Sequence, residues 1–197
     1  KVFIMKRLLL IIILTFSFQT LTTADDIKDF QIEGMSIGDS LLDYFSSEKI
    51  NKNISNGLNY KGTNYQRTCI NDYGSVYDRV CITFLNDKKK FIQAMQGQLR
   101  YKNLNYKLCK NRMDNIDKEL SNLFKNLIKK NWKLLEMTPL KETYPGSTYH
   151  PITFDFQDKS RAQLACYNYP SIDKTIFKMA IYNADIRTLV TAKAVTK

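Results

Sequence analysis

Two stretches of the chain place β-prone apolar runs on either side of a polar, charged turn, which is the pattern of a β-hairpin. The first covers residues 80–101, with its turn at 86–90. The second is a weaker copy that covers residues 152–167, with its turn at 157–160. Each hairpin follows a segment with the apolar spacing of an amphipathic helix, so the hydrophobic pattern divides the chain into two similar parts.

More strands flank the two hairpins. They are predicted at residues 65–70, 76–85, 132–137 and 175–182. Turn-forming residues at 71–74 separate the first two of these strands. If that turn centres near Ser75, Cys69 and Cys81 stand opposite each other, as in a cross-strand disulfide. Gly97, inside the next strand of this meander, predicts a bulge or a close approach of backbone.

Helical spacing of apolar residues predicts three helices and one short helical turn. They lie at residues 35–45, 47–54, 113–131 and 185–194. Ser36, Asp114 and Asn183 are the expected N-caps of the three longer helices. The helix at 113–131 is expected to pack on the core, with a basic amphipathic membrane helix as the alternative. Its apolar stripe consists of Ile116, Leu120, Leu123, Phe124, Leu127 and Ile128.

The order of elements is helix then meander, twice. That order predicts an α+β fold in which antiparallel β-meanders carry helices packed on one face. With 197 residues, of which 44% are hydrophobic, the chain is long enough to bury a core. We expect residues 25–197 to form a single domain, with 25–110 and 111–197 as candidate α-β-β-β halves.

The N-terminus has the three parts of a secretory signal peptide. Lys6 and Arg7 form the basic region, residues 8–18 form the apolar region, and residues 22–24 offer small side chains for cleavage. The apolar run is shorter than the roughly 20 residues that span a bilayer, so a retained membrane anchor is the weaker alternative. We therefore expect cleavage of residues 1–24, a periplasmic or secreted location, and membrane contact through this segment alone.

The net charge limits the classes of binding partner that suit the chain, and the cysteine content indicates its cellular compartment. A formal net charge of +11 favours an anionic partner, namely lipid, nucleic acid or an acidic protein. Export argues against nucleic acid as the partner. An AT-rich genome biases codon usage toward lysine, so the alternative interpretation is that many of the lysines are solvated surface residues without a binding role. Four cysteines in an oxidising compartment predict two disulfides, with three connectivities open. The cysteines are Cys69, Cys81, Cys109 and Cys166.

Residues 30–44 have the sequence FQIEGMSIGDSLLDY. This segment resembles part of a family of small, uncharacterised, exported proteins from AT-rich marine bacteria. The likeness continues more loosely through Gly97, Tyr101, Cys109, Glu119, Phe124 and residues 166–169. The last motif of that family is Cys-Tyr-Asp-Trp, from which Asn168 and Tyr169 depart. The resemblance implies export and a pairing of Cys109 with Cys166, which leaves the other two cysteines together. It implies no activity.

Catalytic and metal-binding motifs are missing, so we expect no catalytic residue, no metal ligand and no cofactor. His150 is the single histidine, and no Gly-x-Ser-x-Gly elbow accompanies it. Zinc needs three or four ligands, which cysteines committed to disulfides do not supply. Scattered carboxylates at 114–119 and 155–158 leave a paired-carboxylate hydrolase open as a rival.

The candidate binding surface is the segment 101–112, in which basic residues are interleaved with tyrosines. Its members are Tyr101, Lys102, Tyr106, Lys107, Lys110 and Arg112. Such a surface suits an anionic envelope component or a protein partner. The simpler interpretation is a strand and loop whose lysines are solvated.

The expected function is binding rather than catalysis. The Gly-Met-Ser opening at residues 34–36, followed by a meander, is similar to BamE-type and β-lactamase-inhibitor-type envelope binding modules. We expect a monomeric, exported protein that binds a protein or an anionic component of the periplasm or cell envelope. The rivals are a hydrolase that uses carboxylates or His150, and a secreted enzyme inhibitor that inserts the loop at 138–150 into its target.

Overall fold

The computed structural model describes residues 26–54, 62–124, 126–137 and 143–195, so the predicted signal peptide lies outside the described residues. The helices in these ranges are α1 (Ser47–Lys52), α2 (Tyr106–Leu123) and α3 (Ala184–Val195). The strands are β1 (Tyr65–Asn71), β2 (Arg79–Leu85), β3 (Ile92–Lys102), β4 (Ile128–Asn131), β5 (Leu135–Glu136), β6 (Thr148–Asp155), β7 (Arg161–Tyr169) and β8 (Lys174–Tyr182). The elements confirm the predicted α+β class.

All eight strands belong to one antiparallel sheet. Its order is β1-β2-β3-β8-β7-β6-β4, and β5 also pairs with β6. Both predicted hairpins are confirmed, as β2–β3 and as β6–β7. The two meanders meet where β3 pairs with β8, which makes one continuous sheet. The boundary drawn between residues 110 and 111 falls inside α2, and the division into two similar halves is not confirmed.

One face of the sheet, the core face, is buried beneath α2 and the N-terminal segment. Alternate side chains of each strand point toward it, as the pleat of a strand requires. They include Val80, Ile82, Phe84, Met95, Ile152, Phe154, Leu164, Phe177 and Ile181. Helix α2 contributes Cys109, Met113 and Leu120. Helix α2 therefore covers the core face, whereas Val190 of α3 borders a depression on the opposite face of the sheet, so the predicted packing of all helices on one face is not confirmed.

Both predicted disulfides are present. Cys69 and Cys81 are directly opposite in the β1–β2 register, with Cα atoms 4.0 Å apart. Cys109 of α2 bonds to Cys166 of β7, with a Cα separation of 5.9 Å, and no cysteine is free. Two disulfides indicate an oxidising, exported compartment. Across the described ranges, no helix has the length and apolar character needed to cross a membrane.

Helix α2 begins and ends earlier than predicted. Asn105, rather than Asp114, caps it, because the Asn105 side chain accepts a hydrogen bond from the N–H of Leu108 at 3.2 Å. The helix ends at Leu123, and residues 128–131, predicted as its last turn, form β4 on the edge of β6. The predicted bounds are therefore wrong at both ends.

The error at the C-terminal end has a physical cause. Leu120, Phe124 and Ile128 follow each other at intervals of four, which imitates a helical face beyond the last helical residue. In the folded chain Leu123 and Ile128 are 58% and 63% exposed, so the predicted stripe is not a single buried face.

The helix predicted at residues 35–45 is also wrong. The segment contains a single 3₁₀ turn at Leu41–Asp43. Gly34 and Gly38 have φ angles of +79° and +94°, which interrupt right-handed helical backbone. Its apolar side chains nevertheless enter the core, namely Met35, Ile37, Leu41 and Phe45.

Two acids of the segment 30–44 stabilise the fold by accepting hydrogen bonds. Asp39 accepts hydrogen bonds from the N–H of Ser36 at 2.8 Å and from the hydroxyl of Tyr44 at 2.7 Å. The hydrogen bond to Asp39, together with burial, raises the pKa of Tyr44 to about 12. Glu33 accepts from three successive backbone N–H groups of residues 75–77, at 3.1, 2.9 and 2.9 Å.

Gly97 is a position of close approach, as predicted, although its neighbour is a side chain. A Cβ atom there would lie 2.7 Å from the ring of Tyr77. The hydroxyl of that tyrosine lies 3.2 Å from the sulfur of Met179 on β8. The bulge in the β2–β3 pairing is elsewhere, between Thr83 and Phe84.

Candidate functional site

The six residues of the predicted binding surface do not share one face. Tyr101 and Tyr106 are half-buried and pack against the hydrophobic core. Lys102 is the neighbour of Tyr101 on β3, so its side chain points to the opposite face of the sheet. The two tyrosines therefore contribute to the packing of the core, and the sheet lies between them and the Lys102 side chain.

The other three members lie on α2 rather than on a loop. Lys107 and Arg112 are exposed, and Lys110 forms an ion pair with Asp114 one turn along the helix. Solvated or paired cations at this spacing are ordinary for the outer side of a helix. As a binding surface, the segment 101–112 stays a prediction.

His150 connects two elements of the core face. The hydroxyl of Tyr106 lies 3.5 Å from its Nδ1, and its Nε2 lies 3.0 Å from Oδ1 of Asn131. Because an amide oxygen only accepts hydrogen bonds, this arrangement fits a neutral ring with its proton on Nε2. Burial, and then the charge of Lys110, lowers the pKa of His150.

Stability is expected to fall when the pH drops through the range in which His150 binds a proton. The pKa of His150 in the folded state lies below its ordinary value of 6.5, so the unfolded chain binds the proton first. The contribution is complete above pH 6.5 and is lost as the pH falls through the lowered pKa. Urea unfolding at about pH 8 and about pH 5 should show that wild type loses stability relative to His150→Gln on acidification. A difference between the two proteins that is independent of pH would contradict this.

Three of the five carboxylates that left a hydrolase open are paired with cations, namely Asp114, Asp117 and Asp155. Asp155 lies 2.6 Å from Nε of Arg161 and 3.3 Å from Nη2 of Arg187. Asp117 lies 2.6 Å from Nζ of Lys129. Within the described residues, no group of three His, Cys, Asp or Glu side chains is placed to hold a metal ion. The loop of the inhibitor hypothesis falls partly outside the described residues, at 138–142.

The sheet face opposite α2 is rich in polar and basic side chains, and we call it the polar face. Its members alternate along the strands with the buried core residues. They include Arg67, Arg79, Ala94, Gln96, Gln98, Arg100, Lys102, Tyr149, Gln163, Ala165, Tyr167, Lys174, Lys178, Ala180 and Tyr182. Most of the long side chains are half-buried, so they limit each other's movement while still reaching solvent.

Lys178 lies near the centre of the polar face. In the strand register it stands opposite Gln98 on β3 and Ala165 on β7. Its Nζ atom lies 3.9 Å from the centroid of the Tyr167 ring, which is a cation–π contact. Within the described part of the chain the ammonium group makes no hydrogen bond and no ion pair.

Two arginines increase the positive potential at this point. Burial is the main cause that lowers the pKa of Lys178 to about 8, and Arg67 and Arg79 add to it. Burial and Arg100 lower the pKa of Arg79. Nε of Arg79 is buried and has no hydrogen-bond partner among the described residues. A partly buried cluster of like charges disfavours its own charged state, and a bound anion would relieve it.

Two small depressions adjoin each other on the polar face, and both include Gln96 and Tyr182. The depression over Lys178 has a volume of about 50 Å³. The other, bordered by Arg67 and by Val190 of α3, has about 90 Å³. A site for a drug-sized molecule needs about 300 Å³ or more. These depressions therefore suit single side-chain groups of a larger partner.

Tyrosines continue the polar face beyond Lys178. Tyr167 stacks on Tyr149 with ring centroids 5.4 Å apart, and it lies 6.4 Å from Tyr169. Burial raises the pKa of Tyr167, so its hydroxyl keeps its proton. Tyrosine and arginine are the residue types that dominate the centres of protein interfaces.

Comparisons with protein-family models, with curated proteins and with solved structures find no match for this chain. The two resemblances inferred from the sequence therefore stay predictions. Function has to be inferred from the geometry and the charge of the polar face.

The prediction from sequence missed the polar face. A local sign was present in β8, where Lys174 and Lys178 alternate with the buried Phe177 and Met179. Such alternation marks a strand with one polar side. It does not show that Arg79, on a distant strand, reaches the same place.

Proposed function

We propose that the protein is a non-enzymatic binding protein of an exported, oxidising compartment, the periplasm or cell envelope, and that it holds an anionic partner on its polar face. One observation carries the proposal. Lys178 is half-buried, and the charged groups that act on it within the described residues are two cations, Arg67 and Arg79. A protein gains nothing in stability from such a cluster, whereas a binding site gains attraction for an anion.

The construction of the polar face supports binding rather than catalysis. The site offers hydrogen-bond donors and aromatic rings, and its depressions are too shallow to enclose a substrate. The acid on its edge, Asp155, is paired with Arg161 and Arg187. The two disulfides support the exported compartment.

Neutralising the polar face is expected to reduce partner retention at least about tenfold. The variant Arg79→Ala with Arg100→Ala removes two positive charges from this face. The control, Lys88→Ala with Lys118→Ala, removes the same charge from exposed positions in the β2–β3 turn and on α2. The measurement is the amount of partner that each immobilised protein retains from envelope extracts at constant ionic strength.

A loss confined to the variant of the polar face supports the proposal, because net charge is equal in the two variants. Equal losses in both variants would show that the retained material follows net charge alone. That result, or a wild-type protein that reproducibly retains nothing, would count against a binding role for this face.

A further inference from the structure

We propose that the depression over Lys178 is a carboxylate subsite, filled by an aspartate or glutamate side chain of an acidic protein partner. The subsite rests on the proposed function and deepens it, because it names the chemical group that the polar face receives. It also names the residue that receives this group.

The depression has room for a small polar group such as a carboxylate. Its volume is about 50 Å³, several times the roughly 10–15 Å³ that one water molecule requires in the same measure. Ala165 stands opposite Lys178 on β7, and Ala180 is the next residue of β8 on the same face. Both alanines are buried and too short to cover the ammonium group.

The lining of the depression offers donors to an acceptor. An ammonium group has three N–H donors and no acceptor, and that of Lys178 contacts the Tyr167 ring within the described residues. Gln96 accepts from Nη2 of Arg67 at 2.8 Å through Oε1, so its NH₂ group is the end left to donate. Gln163 lines the opposite side. A carboxylate only accepts hydrogen bonds, so it complements this set.

The polar face around the subsite has the dimensions of a protein interface. The six strands from β1 to β6 lie about 4.8 Å apart and are seven to eleven residues long, so together they span roughly 700 Å². A standard interface covers about 800 Å² on each partner. A charge recessed between longer side chains suits a protruding acidic residue better than the smooth surface of a membrane. A second copy of this chain would oppose one basic face to another.

Lys178 is expected to lower the stability of the fold while it is charged. Its pKa of about 8 in the folded state lies below the ordinary 10.5, so stability rises with pH across that window. Lys178→Met keeps an unbranched side chain and removes the charge, and it should fold at least as stably as wild type. Loss of binding in this variant would therefore not reflect unfolding.

The test uses the full disulfide-bonded protein and two capped peptides at fixed ionic strength. One peptide alternates glutamate with glycine, and the other has glutamine in place of glutamate. Wild type should bind the glutamate peptide at least about tenfold more tightly than the glutamine peptide. Lys178→Met should weaken that binding at least about tenfold. Lys174→Met, an exposed lysine on the same face of β8, should change it by less than about twofold.

A pH series gives a second measurement. The affinity of wild type for the glutamate peptide should fall as the pH rises through about 8, and Lys178→Met should lack this step. Among the residues that the structure describes, the other charged and titratable groups around the depression are Arg67 of β1, Arg79 of β2, Tyr167 of β7 and Tyr182 of β8. Arginine is charged throughout this range, and burial raises the pKa of Tyr167.

Each failure has a different meaning. Equal losses in the two lysine variants would overturn the subsite and leave the proposed function standing, since the face would then act through diffuse charge. Equal binding of the two peptides, or binding of phosphatidylglycerol vesicles without any peptide affinity, would overturn the acidic protein segment as the occupant. If envelope extracts yield no partner but the glutamate peptide binds through Lys178, the proposed function fails, and Lys178 stands as a carboxylate-binding residue without the acidic protein partner.

Discussion

Replacing both Cys109 and Cys166 with alanine is expected to lower the free energy of unfolding by about 4 kcal/mol. The bond joins residues 57 positions apart, and closing a loop of that length restricts the unfolded chain strongly. It is also the covalent link between α2 and the sheet, and both cysteines are fully buried. Domains are commonly stable by only about 5–15 kcal/mol, so this one bond is a large part of the total.

The second disulfide provides the matched control. Cys69 and Cys81 are 12 positions apart, for which the same chain-entropy argument gives about 3 kcal/mol. Urea unfolding of the two double-alanine variants should therefore rank Cys109–Cys166 as the more stabilising bond. A larger loss for the Cys69–Cys81 variant, or no loss for the other, would show that loop closure does not dominate here.

The strands could be predicted from the sequence because their signal is local. In the first meander, residues 71–74 supply turn chemistry between two apolar runs, and the register follows from the length of the turn. That is why Cys69 and Cys81 could be placed opposite each other. Local signals also located β8, through its β-prone run, and the cap of α3. The side chain of Asn183 accepts a hydrogen bond from the N–H of Ile186 at 2.9 Å.

The helices were harder to predict because packing overrides spacing. Residues 35–45 have helical spacing, yet the two glycines with positive φ and the side chain of Asp39 favour a compact turn. Helix α2 starts at Tyr106 because Asn105 caps it and Cys109 fastens its first turns to β7. In the sequence this segment shows tyrosines interleaved with basic residues, which favours the interpretation as a strand and loop.

The polar face could not be predicted because its parts are distant in sequence. Lys178 is on β8 and Arg79 is on β2, about 100 residues earlier, and they meet only because β3 pairs with both strands. No turn or helical period indicates that pairing of two meanders. The net positive charge of the sequence predicts an anionic partner, and the sheet topology shows where that charge is concentrated.

Replacing Glu33 with alanine is expected to cost about 2–3 kcal/mol and to release the loop at residues 72–78. Its carboxylate accepts from the N–H groups of Ser75, Val76 and Tyr77. A hydrogen bond to a charged group contributes a net of about 1.5–3 kcal/mol, and the expected loss is smaller than three such bonds because water can reach the exposed amides of Ser75 and Val76 once the carboxylate is removed. Gly74 permits this approach, since it has a φ of +85° and a Cβ there would lie 2.1 Å from the carboxyl carbon. A glutamine at position 33 keeps an acceptor and should cost less than alanine.

Hydrogen exchange distinguishes the loss of the three Glu33 hydrogen bonds from the general effect of removing a negative charge. In Glu33→Ala the amides of residues 75–77 should exchange at least about tenfold faster, while the amides of β7 and β8 change only with global stability. Glu119→Ala, an exposed acid on α2, is the control and should leave both groups unaltered. Retained protection at 75–77 in Glu33→Ala would mean that the contact of Tyr77 with Gly97 and Met179 holds the loop without the carboxylate. The N-terminal segment would then contribute to the fold through its apolar side chains alone.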